Sequence, residues 1–245
     1  AGYRGSEEAI GRSIGSRRDE LVLVSKCGQA FDDLPGEPWS EQLITATVDR
    51  SLARLQTDYL DVMLLHTCDL EVLERGEALG ALVRAREAGK VRFVGYSGDN
   101  QAGAVAAGLD DVAVIQTSVN ICDQVNIDQV LPVTGDHGVG VIAKRPLANA
   151  AWKDLNDQPG FYAGYAETYT ERLAWMDVTP QDLGFEENEW AEIALRFTLS
   201  ADGVHTAIVG TTNPDHVSAN LAAAARTRPL RRHLRRRISL RPGFA

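Results

Sequence analysis

The chain has 245 residues, 44% of them hydrophobic and 24% charged, with a formal net charge of −9. This is the composition of an ordinary folded protein, and it excludes a collagenous, low-complexity or disulfide-framework chain. No apolar stretch reaches the length of a membrane-spanning helix and no signal-type apolar segment opens the sequence, so membrane association is not expected. Three cysteines without a CxxC pair predict a reducing compartment, with the cytoplasm as the default.

In chain order, the opening AGYRGSEE reads as the entry to a helix whose preceding strand lies outside the sequence. Six short apolar runs follow, each halting on a polar residue or a glycine. They are LVLVS before Lys26, DVMLL before His66, VRFVGY before Ser97, VAVI before Gln116, VGVIA before Lys144 and TAIV before Gly210. Continuous Val/Ile/Leu runs of this length are the mark of strands buried on both faces, as in parallel sheets. Helices separate them. Ser40 is the expected N-cap of a helix with Ile44, Val48, Leu52 and Leu55 as its apolar stripe. A second runs from Gly80 to Gly89 with Leu79, Leu82 and Val83 facing inward. A third carries Trp190, Ile193, Ala194 and Phe197 at helical spacing, and a last one opens at Asn213-Pro214.

The connection from Leu147 to Gly184 is too long for a plain loop. It carries Trp152, Phe161, Tyr162, Tyr165, Tyr169 and Trp175, with Pro159, Gly160 and Gly164 interrupting it. Two readings stand for it: aromatic walls of a lid over an apolar substrate, or a helix packing its own aromatics. No repeat or linker breaks the chain, so residues 1–245 are expected to form one domain. Its basic tail, 226–245, holds eight arginines and no acid, which leaves 17 basic against 34 acidic residues before it. A solvated C-terminal helix is the first reading of the tail and a phosphate or nucleic-acid contact the second.

Strand and helix alternating six times predict an α/β fold. In a (β/α)8 barrel, chemistry collects at the C-terminal ends of the strands, which is where the polar residues sit here. A closed barrel needs eight strands, so two are expected to be missing from this sequence.

The segment SLARLQTDYLDVMLLH at 51–66 resembles the aldo-keto reductase family. The same holds, in order along the chain, for YRGSEEAIG, VSKCG, the GYS strand end, IQTSVN and IVGTTNPDHVSANL. The resemblance implies a (β/α)8 barrel lacking its first two βα segments. It implies reduction of an aldehyde or ketone with NADPH, NADH being the alternative, on a small carbonyl substrate and without metal. The family's Tyr, Lys and His would be Tyr3, Lys26 and His66, while its Asp would lie just before Ala1. The logic of such a set is physical. Hydride arriving at a carbonyl carbon leaves an oxyanion that needs a proton. A tyrosine of pKa near 10 is a poor acid until an adjacent ammonium favours its anion, and a neutral imidazole can orient the carbonyl oxygen.

For the cofactor, the resemblance implies that Ser97 and Gln116 hold the nicotinamide carboxamide. Gly98 stands where the family often has Asn, and Lys144, Arg145 and Leu147 stand where an aromatic ring usually stacks. Gly210, Thr211, Thr212 and Asn213 form the expected phosphate turn, with His216 and Asn220 completing the adenosine contacts; a helix N-terminus presents free N–H groups to an anion. Without a fixed cation at Asn213 and His216, preference for NADPH over NADH is expected to be weak.

GVGVIA at 138–143 fits a dinucleotide fingerprint by letter but opens a strand rather than a helix, so it is set aside. The five histidines show no metal-ligand spacing. Cys27 and Cys68 flank Lys26 and His66, as small buried residues or as sites of oxidation. The rival functional reading is a non-catalytic nucleotide-binding or regulatory barrel, or an inactive fragment, because the expected Asp is absent.

Overall fold

The structure, a computed structural model, describes residues 5–31, 33–155 and 160–226; the side chains of 160–163 and 165 also stand outside that description. The chain divides into two compact units, Ala1–Gln116 with Val133–Gly140, and Thr117–Pro132 with Val141–Ala245. The class is α/β, with six parallel strands among the described residues.

In the first unit the helix expected at the start is α1, Ser6–Ile14. β1 follows at Val24–Cys27 and α2 at Glu41–Leu55. Ser40 caps α2 as expected, its Oγ accepting from Leu43 N at 3.3 Å, and Leu43, Ile44, Thr47, Val48, Ser51 and Leu55 are its buried face. β2 spans Leu60–His66, buried at every position up to His66. Then come α3 at Leu70–Arg75, α4 at Glu77–Glu87, β3 at Val91–Ser97, α5 at Asn100–Ala107 and β4 at Val114–Ser118. Strands β1 to β4 pair in chain order, all parallel.

Three differences from the sequence reading have physical causes. The first run starts at Leu21, but β1 begins only at Val24, with Leu21 and Val22 exposed ahead of it. The helix expected from Gly80 begins earlier, at Glu77, and buries Ala78, Ala81 and Leu82, leaving Leu79 and Val83 half-buried. The last strand is shorter than TAIV: only Thr206–Ala207 pairs, and Ile208 is exposed.

The second unit holds α6 at Val125–Gln129, β5 at Gly140–Lys144, whose Ile142 and Ala143 pair with Thr206 and Ala207, and β6 at Thr206–Ala207. Between the units' boundaries in sequence lies α7, Leu131–His137. The long connection contains α8, Gly160–Met176. The last two helices are α9, Trp190–Leu199, and α10, Pro214–Ala225. Much of the aromatic content of the connection is core. Tyr169 and Leu173 are buried with Ile121, Ile193 and Phe197, and Trp152 stacks on Trp190 with ring centres 6.2 Å apart. Trp175 is exposed. Pro159 and the side chains of Phe161, Tyr162 and Tyr165 lie outside the described residues.

Candidate active site

Register decides which strand-end residues can act together. Lys26 lies opposite Leu64, Leu64 opposite Gly95 and Gly95 opposite Val114; His66 lies opposite Ser97, and Ser97 opposite Gln116. Side chains alternate between the two faces of a strand. Lys26, His66, Ser97 and Gln116 therefore share one face, at the C-terminal ends of four neighbouring strands. The structure brings together these four sequence-predicted residues, all in the first unit.

Their surroundings differ. Lys26 and His66 are half-buried, whereas Ser97 is 1% and Gln116 3% exposed. The Ser97 hydroxyl donates to Gln116 Oε1 at 3.2 Å, and Gly98 N donates to Gln116 O at 3.1 Å. A hydroxyl and an amide are thus locked side by side. Thr67, directly after His66, has φ 62, an uncommon conformation for a β-branched residue. It is held there by two bonds to one acceptor: Thr67 N and Oγ1 both donate to Ser97 O, at 2.8 and 3.1 Å. That clamp ties the ends of β2 and β3, and the amino-acid type of residue 67 gives no hint of it.

Gly98 also has a steric reason. A Cβ at 98 would run into the Tyr96 ring, and that ring is pinned by Tyr96 Oη donating to Cys68 O at 2.7 Å. An Asn at 98 is incompatible with this packing. Burial pushes the Tyr96 hydroxyl well above the usual tyrosine range, with the neighbouring Cys68, Asp99 and Asp69 adding to it. Tyr96 alternates to the face opposite Ser97, so it does not stand in for Tyr3, which lies outside the described residues.

The remaining predicted residues lie in the second unit. Lys144 ends β5 half-buried. Arg145 has φ 55 and donates from Nη1 to Ser118 Oγ at 2.9 Å. Leu147 packs against the apolar cluster around Phe197. Gly210 is exposed, and a Cβ there would meet nothing within 4 Å. Thr212 and Asn213 are exposed and Asn220 half-buried on α10. Asn213 caps α10 as expected, its Oδ1 accepting from Asp215 N at 2.9 Å. Thr211 Oγ1 accepts from Asn213 N at 3.1 Å and lies 3.1 Å from His216 Nδ1. Asp215 in the first turn is a feature the sequence reading passed over; it sets a carboxylate at the turn.

All three cysteines are buried and free. Burial raises the Cys68 thiol to about 11 and the Cys122 thiol to about 12, and pushes Cys27 higher still. They are packing residues.

The Aldo/keto reductase family model matches residues 2–231. The chain belongs to the aldo/keto reductase family. It is 26% identical over 233 residues to an uncharacterized oxidoreductase of Bacillus subtilis, covering 89% of this chain and 73% of that protein. It is 25% identical to L-galactose dehydrogenase of Arabidopsis thaliana and 27% to L-glyceraldehyde 3-phosphate reductase of Escherichia coli, covering 89% of this chain and 69% and 70% of theirs. An aldo-keto reductase from Bacillus halodurans in its holo form superposes with a TM-score of 0.76 at 26% identity, over 95% of this chain and 76% of that one. The six parallel strands of this aldo/keto reductase are consistent with a (β/α)8 barrel, and the family is one of oxidoreductases. Among the described residues, no helix is long and apolar enough to cross a membrane and no group of His, Cys, Asp and Glu is arranged to hold a metal ion.

Proposed function

We propose that this aldo/keto reductase reduces a small aldehyde or ketone to the alcohol with NADPH, and with NADH only slightly less well, in the cytoplasm. The observation that carries the reading is the shared face of Lys26, His66, Ser97 and Gln116 at the ends of β1 to β4.

The residues fit a nicotinamide dinucleotide. The paired hydroxyl and amide of Ser97 and Gln116 suit a carboxamide, and the open space at Gly210 suits close approach of a phosphate to backbone. Bound there, the nicotinamide supplies the hydride. His66 orients the carbonyl oxygen by donating from a neutral imidazole, and Tyr3 delivers the proton that the oxyanion takes up. Lys26 lowers the cost of the tyrosinate left behind, an ammonium favouring the adjacent anion. In the second unit, Lys144, Arg145 and Leu147 are assigned to the cofactor, as are Thr211, Thr212, His216 and Asn220 of the turn and helix. The carboxylate of Asp215 beside Asn213 opposes a second phosphate there, which is why the discrimination between NADPH and NADH is small.

A fluorescence titration of the chain with NADPH and with NADH, followed by turnover with a simple aldehyde, tests this. Saturable binding of both, within about tenfold of each other, and aldehyde-dependent loss of the reduced cofactor are expected. Saturable binding without turnover would reject the reductase reading and favour a nucleotide-binding barrel. Asn213→Arg should shift the preference towards NADPH, and an unchanged ratio would move the phosphate site elsewhere.

A further inference from the structure

Glu7, on α1, is a buried carboxylate that the proposed chemistry does not use; it is 7% exposed. Its Oε1 accepts from two hydroxyls, Ser25 Oγ on β1 at 2.7 Å and Ser51 Oγ on α2 at 2.8 Å. Both serines are buried as well. Burial works against the charge, the Ser25 and Ser51 hydroxyls work for it, and the carboxyl titrates below the usual carboxylate range. The helix that carries Glu7 is itself fixed. A Cβ at Gly11 would run into the backbone of Arg54 and Leu55, so α1 lies backbone to backbone on α2. Arg54 Nε also lies 2.9 Å from Glu8 Oε1.

Ser25 directly precedes Lys26. Side chains alternate along a strand, so the serine lies on the face of β1 turned away from the lysine. β1 is four residues long and, among the described residues, pairs with β2 alone. The Glu7–Ser25 bond is a second hold on it, from the helix side. A charged acceptor makes such a bond roughly twice as strong as a neutral one. The backbone that aims Lys26 is therefore fixed by the β2 ladder along its edge and by this carboxylate from behind.

We propose that Glu7, acting through Ser25, is a positioning residue for Lys26: it holds β1 so that the ammonium stays in place to assist proton transfer. The inference rests on the reading of Lys26 as that ammonium. Ser51 supplies the comparison. It bonds the same carboxylate oxygen at nearly the same distance, but from α2, which carries none of the residues assigned to the chemistry.

Two measurements on the full chain test it. The first compares Ser25→Ala with Ser51→Ala, which each remove one hydroxyl from the same oxygen and should lower the unfolding midpoint by similar amounts. In Ser25→Ala, kcat for aldehyde reduction should drop roughly tenfold or more at nearly unchanged NADPH affinity, since misplacement by about 1 Å costs up to about 100-fold. The basic limb of its kcat–pH profile should move to higher pH, because an ammonium held less firmly favours the tyrosinate less. Ser51→Ala should keep the wild-type rate and profile, and Ser25→Thr, which restores the hydroxyl, should recover both. Equal rate losses in the two alanine variants, or an unmoved limb in Ser25→Ala, would make Glu7 a packing contact and overturn the proposal. The second measurement needs no turnover: the rate at which acetic anhydride acetylates Lys26, read by peptide mass spectrometry. It should rise roughly twofold or more in Ser25→Ala, where the strand end opens more often, and match wild type in Ser51→Ala. An unchanged rate in Ser25→Ala overturns the proposal. The expected rise in a chain that reduces no aldehyde supports the positioning and rejects the reductase reading instead.

Discussion

At the N-terminal ends of β2 and β3, Asp61 is 7% exposed and is held by two guanidinium groups and a backbone amide. Its Oδ2 accepts from Arg18 Nη2 at 2.9 Å and from Leu23 N at 2.8 Å, and its Oδ1 from Arg92 Nη1 at 3.1 Å. Arg18 and Arg92 also lie over the Tyr59 ring, 3.8 and 4.1 Å from its centre. At the C-terminal ends of the same strands, Lys26 and His66 stand half-buried, backed by the Ser97–Gln116 pair and the strained Thr67 clamp. The two ends are built from the same strands, yet at one a buried carboxylate is enclosed by guanidinium groups, and at the other a lysine and a histidine stand half-buried beside a hydroxyl–amide pair. In βα barrels chemistry collects at the C-terminal strand ends and the N-terminal ends serve stability, which is the division the proposed function assigns here.

The largest expected effect that separates the ends is on rate. His66→Ala should lower turnover by roughly 100-fold or more, the scale of a lost proton-handling or orienting group, while leaving cofactor affinity within a few-fold. Steady-state kinetics beside a binding titration checks this, and equal losses of both would remove its orienting role.

Next in size is Asp61→Ala. It takes the acceptor from the Leu23 amide and the carboxylate from Arg18, which keeps its bonds to Thr57, Leu21 and Tyr59, and removing one member of a buried pair costs up to about 3–5 kcal/mol. Denaturant unfolding should show most of that loss, with the activity of the folded fraction unchanged. A loss under about 1 kcal/mol would mean that the network is solvated and does not hold the N-terminal end.

Gly98→Asn tests whether the chemical end tolerates the residue often found there in the family. Displacing the Tyr96 ring should cost about 1–3 kcal/mol, the range for overpacking a filled site. A stable variant would show that the Tyr96–Cys68 contact is dispensable.

The smallest effect is on pH dependence. The Cys68 thiol sits at about 11 when folded, raised by burial from an ordinary value near 9. On raising the pH, the unfolded chain therefore releases this proton first, so stability is intact below about pH 9 and declines between there and 11. Native protein at neutral pH should also leave thiol reagents unreacted until it is denatured; rapid modification of the native thiols would contradict their burial.

The sheet was legible because β2 and β3 are buried along most of their length and so read as largely apolar runs ending on His66 and Ser97. Where burial and hydrophobicity part company, reading failed: Leu21 and Val22 are apolar but exposed, and Ile208 extends a run that β6 does not follow. Helix α5 was missed because its Gly and Ala residues give no stripe. At the chemical end the polar residues were found from their positions, since a strand-end histidine or glutamine interrupts the pattern. Thr67 was not, because its residue type does not announce a left-handed backbone; only the contacts that impose it, at Ser97 O, reveal it. Asp61 was hidden for the opposite reason: one acid at a strand start looks like any solvated charge until Arg18 and Arg92 are seen to close on it.

The most direct test measures two quantities on two variants: consumption of reduced nicotinamide with benzaldehyde, and the unfolding midpoint, for Lys26→Met and Asp61→Ala. The account predicts that Lys26→Met nearly abolishes turnover at an unchanged midpoint, while Asp61→Ala lowers the midpoint and keeps the turnover of the folded protein. A Lys26→Met enzyme that still reduces benzaldehyde at the wild-type rate would contradict the assignment of chemistry to the C-terminal end of the sheet.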